Sequence, residues 1–125
     1  MNSSRMLLLT VFFLTVRSIA FADDGKGVAF FEKRIRPVLI KHCYECHSAA
    51  SSEPKGGLRL DSRDFSRKGG ESGPAIVPGN TGKSLLMEAI RQELIEMPPD
   101  KKLPDQVIAD FEKWIEDGAT DPRDQ

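Results

Sequence analysis

Both cysteines and both histidines of the 125-residue chain fall in one stretch, His42-Cys43-Tyr44-Glu45-Cys46-His47. Such a concentration of soft and imidazole donors suits metal or redox chemistry, and the spacing discriminates between the options. A zinc site would have to draw all four ligands from a single turn, whose side chains cannot surround one ion, and no further Cys or His completes the shell. A redox dithiol is the second option, but it wants a strand before the motif and a helix after it, whereas here a helix-like stretch precedes and a Gly/Ser-rich loop follows. The third is C-x-x-C-H, the attachment pattern for c-type haem. Cys43 and Cys46 project from the same side of a turn and can form thioethers to two neighbouring vinyl groups, which leaves His47 to face the iron.

The opposite face of such an iron has few candidates. His42 is beside Cys43 and cannot reach round the ring. Met87 lies in "SLLMEAIRQELI", where Leu86, Ile90 and Leu94 recur at helical spacing, so it reads as core packing. Met97 stands in "EMPPDKKLP", at the end of that helix, where Pro98 and Pro99 forbid helical continuation and stiffen the backbone. Met97 is therefore the expected distal ligand, and His/Met ligation leaves no vacant site for substrate. The expected activity is transfer of single electrons between redox partners by a protein that is not itself an enzyme. Two alternatives stay open: a gas or peroxide sensor, or weak peroxidase, with a labile Met97, and a haem-free binding module with a Cys43–Cys46 disulfide.

The chain begins with a charged Met1–Arg5 stretch, an apolar run over residues 6–16 and Ala20-Phe21-Ala22, a small-x-small cleavage pattern. The apolar run is short of the roughly 20 residues that span a bilayer, so residues 1–22 are expected to be a secretory signal rather than an uncleaved anchor. Those residues carry two of the 18 basic side chains and none of the 19 acidic ones, so residues 23–125 hold 16 and 19, a net charge of −3. That balance argues against nucleic acid as a partner. The expected location is the periplasm or another exported compartment, with no stable membrane anchor after cleavage. A basic stretch, "KGVAFFEKRIRPVLIKH", is a solvated helix face or a docking face for an unidentified redox protein.

Helices must position these residues. The pattern predicts one over residues 27–40, with Phe30, Phe31, Ile35, Val38 and Leu39 on its apolar side and Pro37 kinking or restarting it. A second is expected over residues 82–96, capped by Asn80 or Thr81, and a third over 105–117, with Val107, Ile108, Phe111, Trp114 and Ile115 on one face and Gly118 as its stop. The long Gly/Pro-punctuated segment between the motif and the second helix holds at most one short helix near residues 61–67. No strand pattern lasts beyond four or five residues. The expected fold is one all-α domain over residues 23–125, with loops wrapped around a single haem.

From Phe30 to Ala119 the sequence closely resembles the planctomycete-type cytochrome c domain, through "IRPVLIKHCYECHS", "GGLRLDSR", "GGESGPAIVPGN", "SLLMEAIR", "MPPDKKL" and "WIEDGA". The resemblance implies a small monohaem cytochrome c whose first and last helices cross near Gly27 or Phe31 and Trp114. It also implies that the carbonyl of Pro74, in Gly73-Pro74, accepts the N–H of His47 that does not face iron. Arg59 and Arg63 in "GGLRLDSR" are candidates to bind the haem propionates, or else solvated loop arginines. In this family the domain commonly heads a longer polypeptide, and the sequence is compatible with a free-standing carrier or with one piece of such a protein.

Overall fold

The computed structural model describes residues 24–123; the expected signal over residues 1–22 lies outside them. The described chain is helical, with no strand, in the arrangement of an all-α cytochrome c-like domain. Helix α1 (Asp24–Phe30) passes through a single π turn (Phe31–Ile35) into α2 (Arg36–His42) without leaving helical backbone angles. Pro37 explains the π turn. It sits at the start of α2 and has no N–H to donate, and the ring would clash with the carbonyl four residues back in an unbroken α-helix. Widening the turn, so that Arg36 N–H bonds the Phe31 carbonyl, lets the rod continue past it. Phe31, Ile35 and Leu39 stay on the inner face and are buried.

Helix α5 (Asp105–Glu116) carries Ile108, Phe111, Trp114 and Ile115 on its buried side. It packs on the π turn, where the Phe31 and Trp114 rings lie 5.6 Å apart and Phe111 meets Trp114 edge-on at 6.1 Å. Such pairs add about 1 kcal/mol each to the area they bury. Beyond α5 the chain turns at Gly118 and Ala119, both with positive φ, and crosses α1 at Gly27. A Cβ at Gly27 would lie 2.7 Å from Thr120 Oγ1, so only glycine lets the strands of chain come this close. The Trp114 indole N–H donates to the Thr120 carbonyl at 2.7 Å and fixes the returning tail.

Helix α3 (Arg63–Lys68) is short and capped by Ser62, whose Oγ accepts from Phe65 N–H. Helix α4 (Leu85–Arg91) is preceded by a 3₁₀ turn (Thr81–Lys83) that Asn80 caps through Lys83 N–H. The helix expected over residues 82–96 is thus much shorter. Gln92 takes the left-handed conformation, φ 60° and ψ 43°, and its N–H bonds the Ala89 carbonyl, which ends α4 six residues before Met97. Leu94, expected on the buried side, is 84% exposed. Leu86, Met87 and Ile90, by contrast, are buried against α5 and the inner face of the first rod.

Two loop features hold the segment between α2 and α4. Asp61 accepts from Ala49 N–H at 2.7 Å and pairs with Arg59, whose guanidinium lies 4.0 Å from the Phe65 ring centroid. Gly69 ends α3 at φ 78° and ψ −169°, a region open essentially to glycine alone, and a Cβ there would fall 1.8 Å from the Gly73 carbonyl oxygen. Burial by itself would raise the Asp61 carboxyl, but the Arg59 side chain and the Ala49 N–H outweigh it and hold the group below the usual carboxylate range.

These features set two expectations for stability. Gly69→Ala should cost about 3 kcal/mol in urea unfolding through backbone strain and overpacking, while Gly25→Ala in α1, with nothing within 4 Å, should leave the midpoint unchanged or slightly raised. Because the folded carboxyl of Asp61 titrates below the unfolded one, its pairing stabilises the fold above about pH 3.9 and is lost as the pH falls through and below that value. Asp61→Asn should therefore lower stability by about 1 kcal/mol at pH 7 and flatten the acid limb of a stability-against-pH curve; an unchanged acid limb contradicts the assignment.

Candidate functional site

Helix α2 runs directly into the motif. Cys43 N–H bonds the Leu39 carbonyl at 2.9 Å, and His47 N–H bonds the Cys43 carbonyl at 2.9 Å, so residues 43–47 form one further turn. Ser48 closes it by donating its hydroxyl to the Tyr44 carbonyl. The segment 55–60 then folds back along this turn: Lys55 N–H bonds Cys46 O, and Leu60 N–H bonds His47 O.

Beside the turn lies a cleft of about 930 Å3, counting the part open to solvent. Cys43 and His47 line it on one side, with Leu58 and Leu60. Helix α4 contributes Leu85, Leu86, Ala89 and Ile90, and the loop beyond it contributes Ile95, Met97 and Pro98. Gly56, Gly70 and Gly73 form part of the rim, where Glu71 N–H bonds Gly56 O and a Cβ on Gly70 would fall 2.3 Å from that same oxygen. Apart from His42, His47, Lys55 and Ser72, the lining is apolar or glycine.

The structure brings Cys43, His47 and Met97 to this one cleft, although 50 residues separate the last two. Cys46 is half-buried in the same turn but does not line the cleft. Both cysteines are free thiols. Burial, with Cys46 adding, pushes the Cys43 thiol up to about 11. Met97 is half-buried; its N–H bonds the Ala89 carbonyl at 3.2 Å, and a cis peptide bond joins it to Pro98. Met87 is fully buried and is not among the residues lining the cleft. His42 is exposed and contributes to the rim.

His47 Nδ1 lies 3.3 Å from the Leu58 carbonyl oxygen. A carbonyl can only accept, so the proton of this bond belongs on Nδ1, and Nε2 keeps its lone pair. This corrects the expectation for Pro74. The Pro74 carbonyl accepts from Leu85 N–H at 3.4 Å, and the next carbonyl, of Ala75, accepts from Leu86 N–H at 3.1 Å. The Gly73-Pro74 segment is thus committed to holding the start of α4, and Pro74 does not line the cleft. Leu58 supplies a carbonyl to His47 because residues 55–60 lie alongside the motif. Neither arginine suggested for the propionates lines the cleft: Arg59 is tied to Asp61 and Arg63 to Asp64. Among the described residues the Lys or Arg side chain that does so is Lys55, which the sequence reading missed.

A flat, largely apolar macrocycle fits this donor set. The Cys43 thiol, an imidazole with a free Nε2 and a thioether meet an apolar cleft with few other polar groups. Residues 43–101 match the family Planctomycete cytochrome C, while no curated protein and no solved structure matches the chain. The matched segment opens on Cys43 and closes four residues after Met97, and so contains every thiol, imidazole and thioether of the cleft except the rim histidine; the match identifies this segment as a planctomycete-type cytochrome c domain, a family that implies covalently bound haem c and haem-based electron transfer.

Proposed function

We propose that the chain is an exported monohaem electron carrier in which Cys43 and Cys46 would hold the haem covalently and His47 and Met97 would ligate its iron. One observation carries the reading: His47 and Met97 line a single apolar cleft from chain segments 50 residues apart, with Cys43 at the same wall. When bound, the iron supplies a one-electron couple.

The protein's own residues would then set how that couple behaves. His47, with Nδ1 donating to Leu58 O, has Nε2 available as a ligand and is made more basic by the bond. Met97 offers a thioether, which favours reduced iron relative to a second imidazole. Leu85, Leu86, Ala89 and Ile90 keep water from one wall of the cleft, lowering the local dielectric and so penalising net charge. With His47 and Met97 both ligating the iron, no position would be left for substrate, which is why the reading is a carrier and not an enzyme. A periplasmic or similarly exported setting follows from the signal-like residues 1–22; among the described residues no helix is long and apolar enough to cross a membrane.

Two experiments test this. Expressed with its own export signal and a haem-attachment system, the protein should gain the mass of one haem on the chain beginning at Asp23, and the haem should survive acid and organic extraction; complete loss on extraction rules out thioether attachment. Met97→Ala should abolish the sulfur-to-iron charge-transfer band of the oxidised protein, lower its potential and let small exogenous ligands bind, whereas Met87→Leu should leave all three unchanged. The reverse pattern assigns the ligand to Met87, and no effect from either variant moves gas or peroxide binding ahead of electron transfer.

A further inference from the structure

Arg123 is 76 residues or more beyond every donor of the cleft except Met97, yet its guanidinium is buried behind the haem-attachment turn. Nε and one terminal nitrogen bond the two oxygens of Asp121 at 2.9 and 2.5 Å. The other terminal nitrogen donates both to the Tyr44 hydroxyl, at 2.5 Å, and to the Leu60 carbonyl, at 2.7 Å. Four of the five N–H donors of the side chain are thereby used, and the guanidinium carbon lies 4.9 Å from the Phe31 ring centroid. The side chains of Arg123 and Asp121 are only 6% and 3% exposed.

A buried ion pair of this kind is a poor source of net stability, because desolvation offsets most of the attraction. What it does supply is fixed geometry, and its two outward bonds go to informative places. Tyr44 lies between the two cysteines. Leu60 donates its N–H to the His47 carbonyl, and two residues before it Leu58 accepts from His47 Nδ1. One planar fork therefore holds both the turn that carries the imidazole and the extended segment that carries the imidazole's hydrogen-bond partner.

We infer that the Asp121–Arg123 pair is a positioning element for the proximal histidine: by clamping Tyr44 to the Leu58–Leu60 segment it sets the His47–Leu58 hydrogen bond, and through it the electron affinity of the bound iron. This rests on His47 being the proximal ligand, as proposed above. A stronger Nδ1–H bond makes the imidazole more basic and favours oxidised iron, so loosening the clamp should raise the midpoint potential.

The test uses the haem-loaded protein. Arg123→Lys keeps the charge but loses the planar fork, and Tyr44→Phe removes one hydroxyl and leaves the ion pair. In both, the charge-transfer band should persist, the midpoint potential should move upward, and the His47 Nδ1–H proton, followed by NMR in the reduced state, should exchange with solvent faster, by about tenfold in Arg123→Lys. A lower melting temperature with exchange and potential unchanged in both variants overturns the inference and leaves Arg123 as packing alone. If Arg123→Lys does not take up haem, Tyr44→Phe decides by the same two readouts. Failure of the ligand assignment is separable, because it would be seen in the unmutated protein as a His47 ring with no haem-induced shift, and the inference would fall with it.

Discussion

The contact between Phe31 and Trp114 fixes the geometry on which the cleft depends. The first rod can deliver Cys43 and His47 to a defined place only if its axis is held, and the two rings hold it at the π turn, near the middle of the rod. Gly27 permits the returning tail to pass over α1, and the Trp114 indole pins that tail through Thr120. Helix α4 packs against α5. The donors on the two sides of the cleft consequently refer to the same helix, α5, by way of different neighbours.

The cleft is bounded mainly by segments that are not helical, and each has its own reason for being irregular. Residues 55–60 lie along the attachment turn because their N–H groups bond Cys46 and His47 carbonyls. The Gly69–Gly73 loop closes on itself and on Gly56 at distances no side chain would tolerate. The segment 92–98 leaves α4 through a left-handed residue and reaches the cleft with Met97. A domain of about 100 residues buries a limited share of its surface, so an apolar ring filling such a cleft would act as the missing part of the core.

The helices that pack on the core were legible in the sequence, because their apolar periodicity reports burial directly. The faces read for residues 27–40 and 105–117 are the faces that Phe31, Ile35 and Leu39, and Phe111, Trp114 and Ile115, present to the interior. The same rule misled at α4. Leu94 fits the helical repeat of Leu86 and Ile90, but the left-handed Gln92 breaks the register and turns it to solvent. Pro98 and Pro99 marked where the helix could not continue, not where it stopped. The cysteines, His47 and Met97 could be singled out in the sequence because their chemistry is carried by side chains, and the structure brings Cys43, His47 and Met97 to one cleft. The partner of His47 was not, since a backbone carbonyl has no residue identity: Leu58 looks like any loop leucine, and the analogy drawn from Gly73-Pro74 pointed to the wrong segment. Arg123 escaped notice for a related reason, as nothing in "TDPRDQ" indicates that its guanidinium returns to a core 79 residues away.

The bond from His47 to Leu58 spans only 11 residues, whereas bringing Met97 to the same cleft requires closing a loop of 50. Loop-closure entropy alone makes the shorter excursion the easier one by about 1 kcal/mol, and its backbone bonds from Lys55 and Leu60 are equally local. The thiols, the imidazole and the imidazole's partner thus belong to a nearly self-contained stretch of chain, while the thioether arrives only with the tertiary fold. On the proposed ligation, the attachment turn would be complete before the rest of the chain has folded, and sulfur ligation would be the last event and a report that folding is complete.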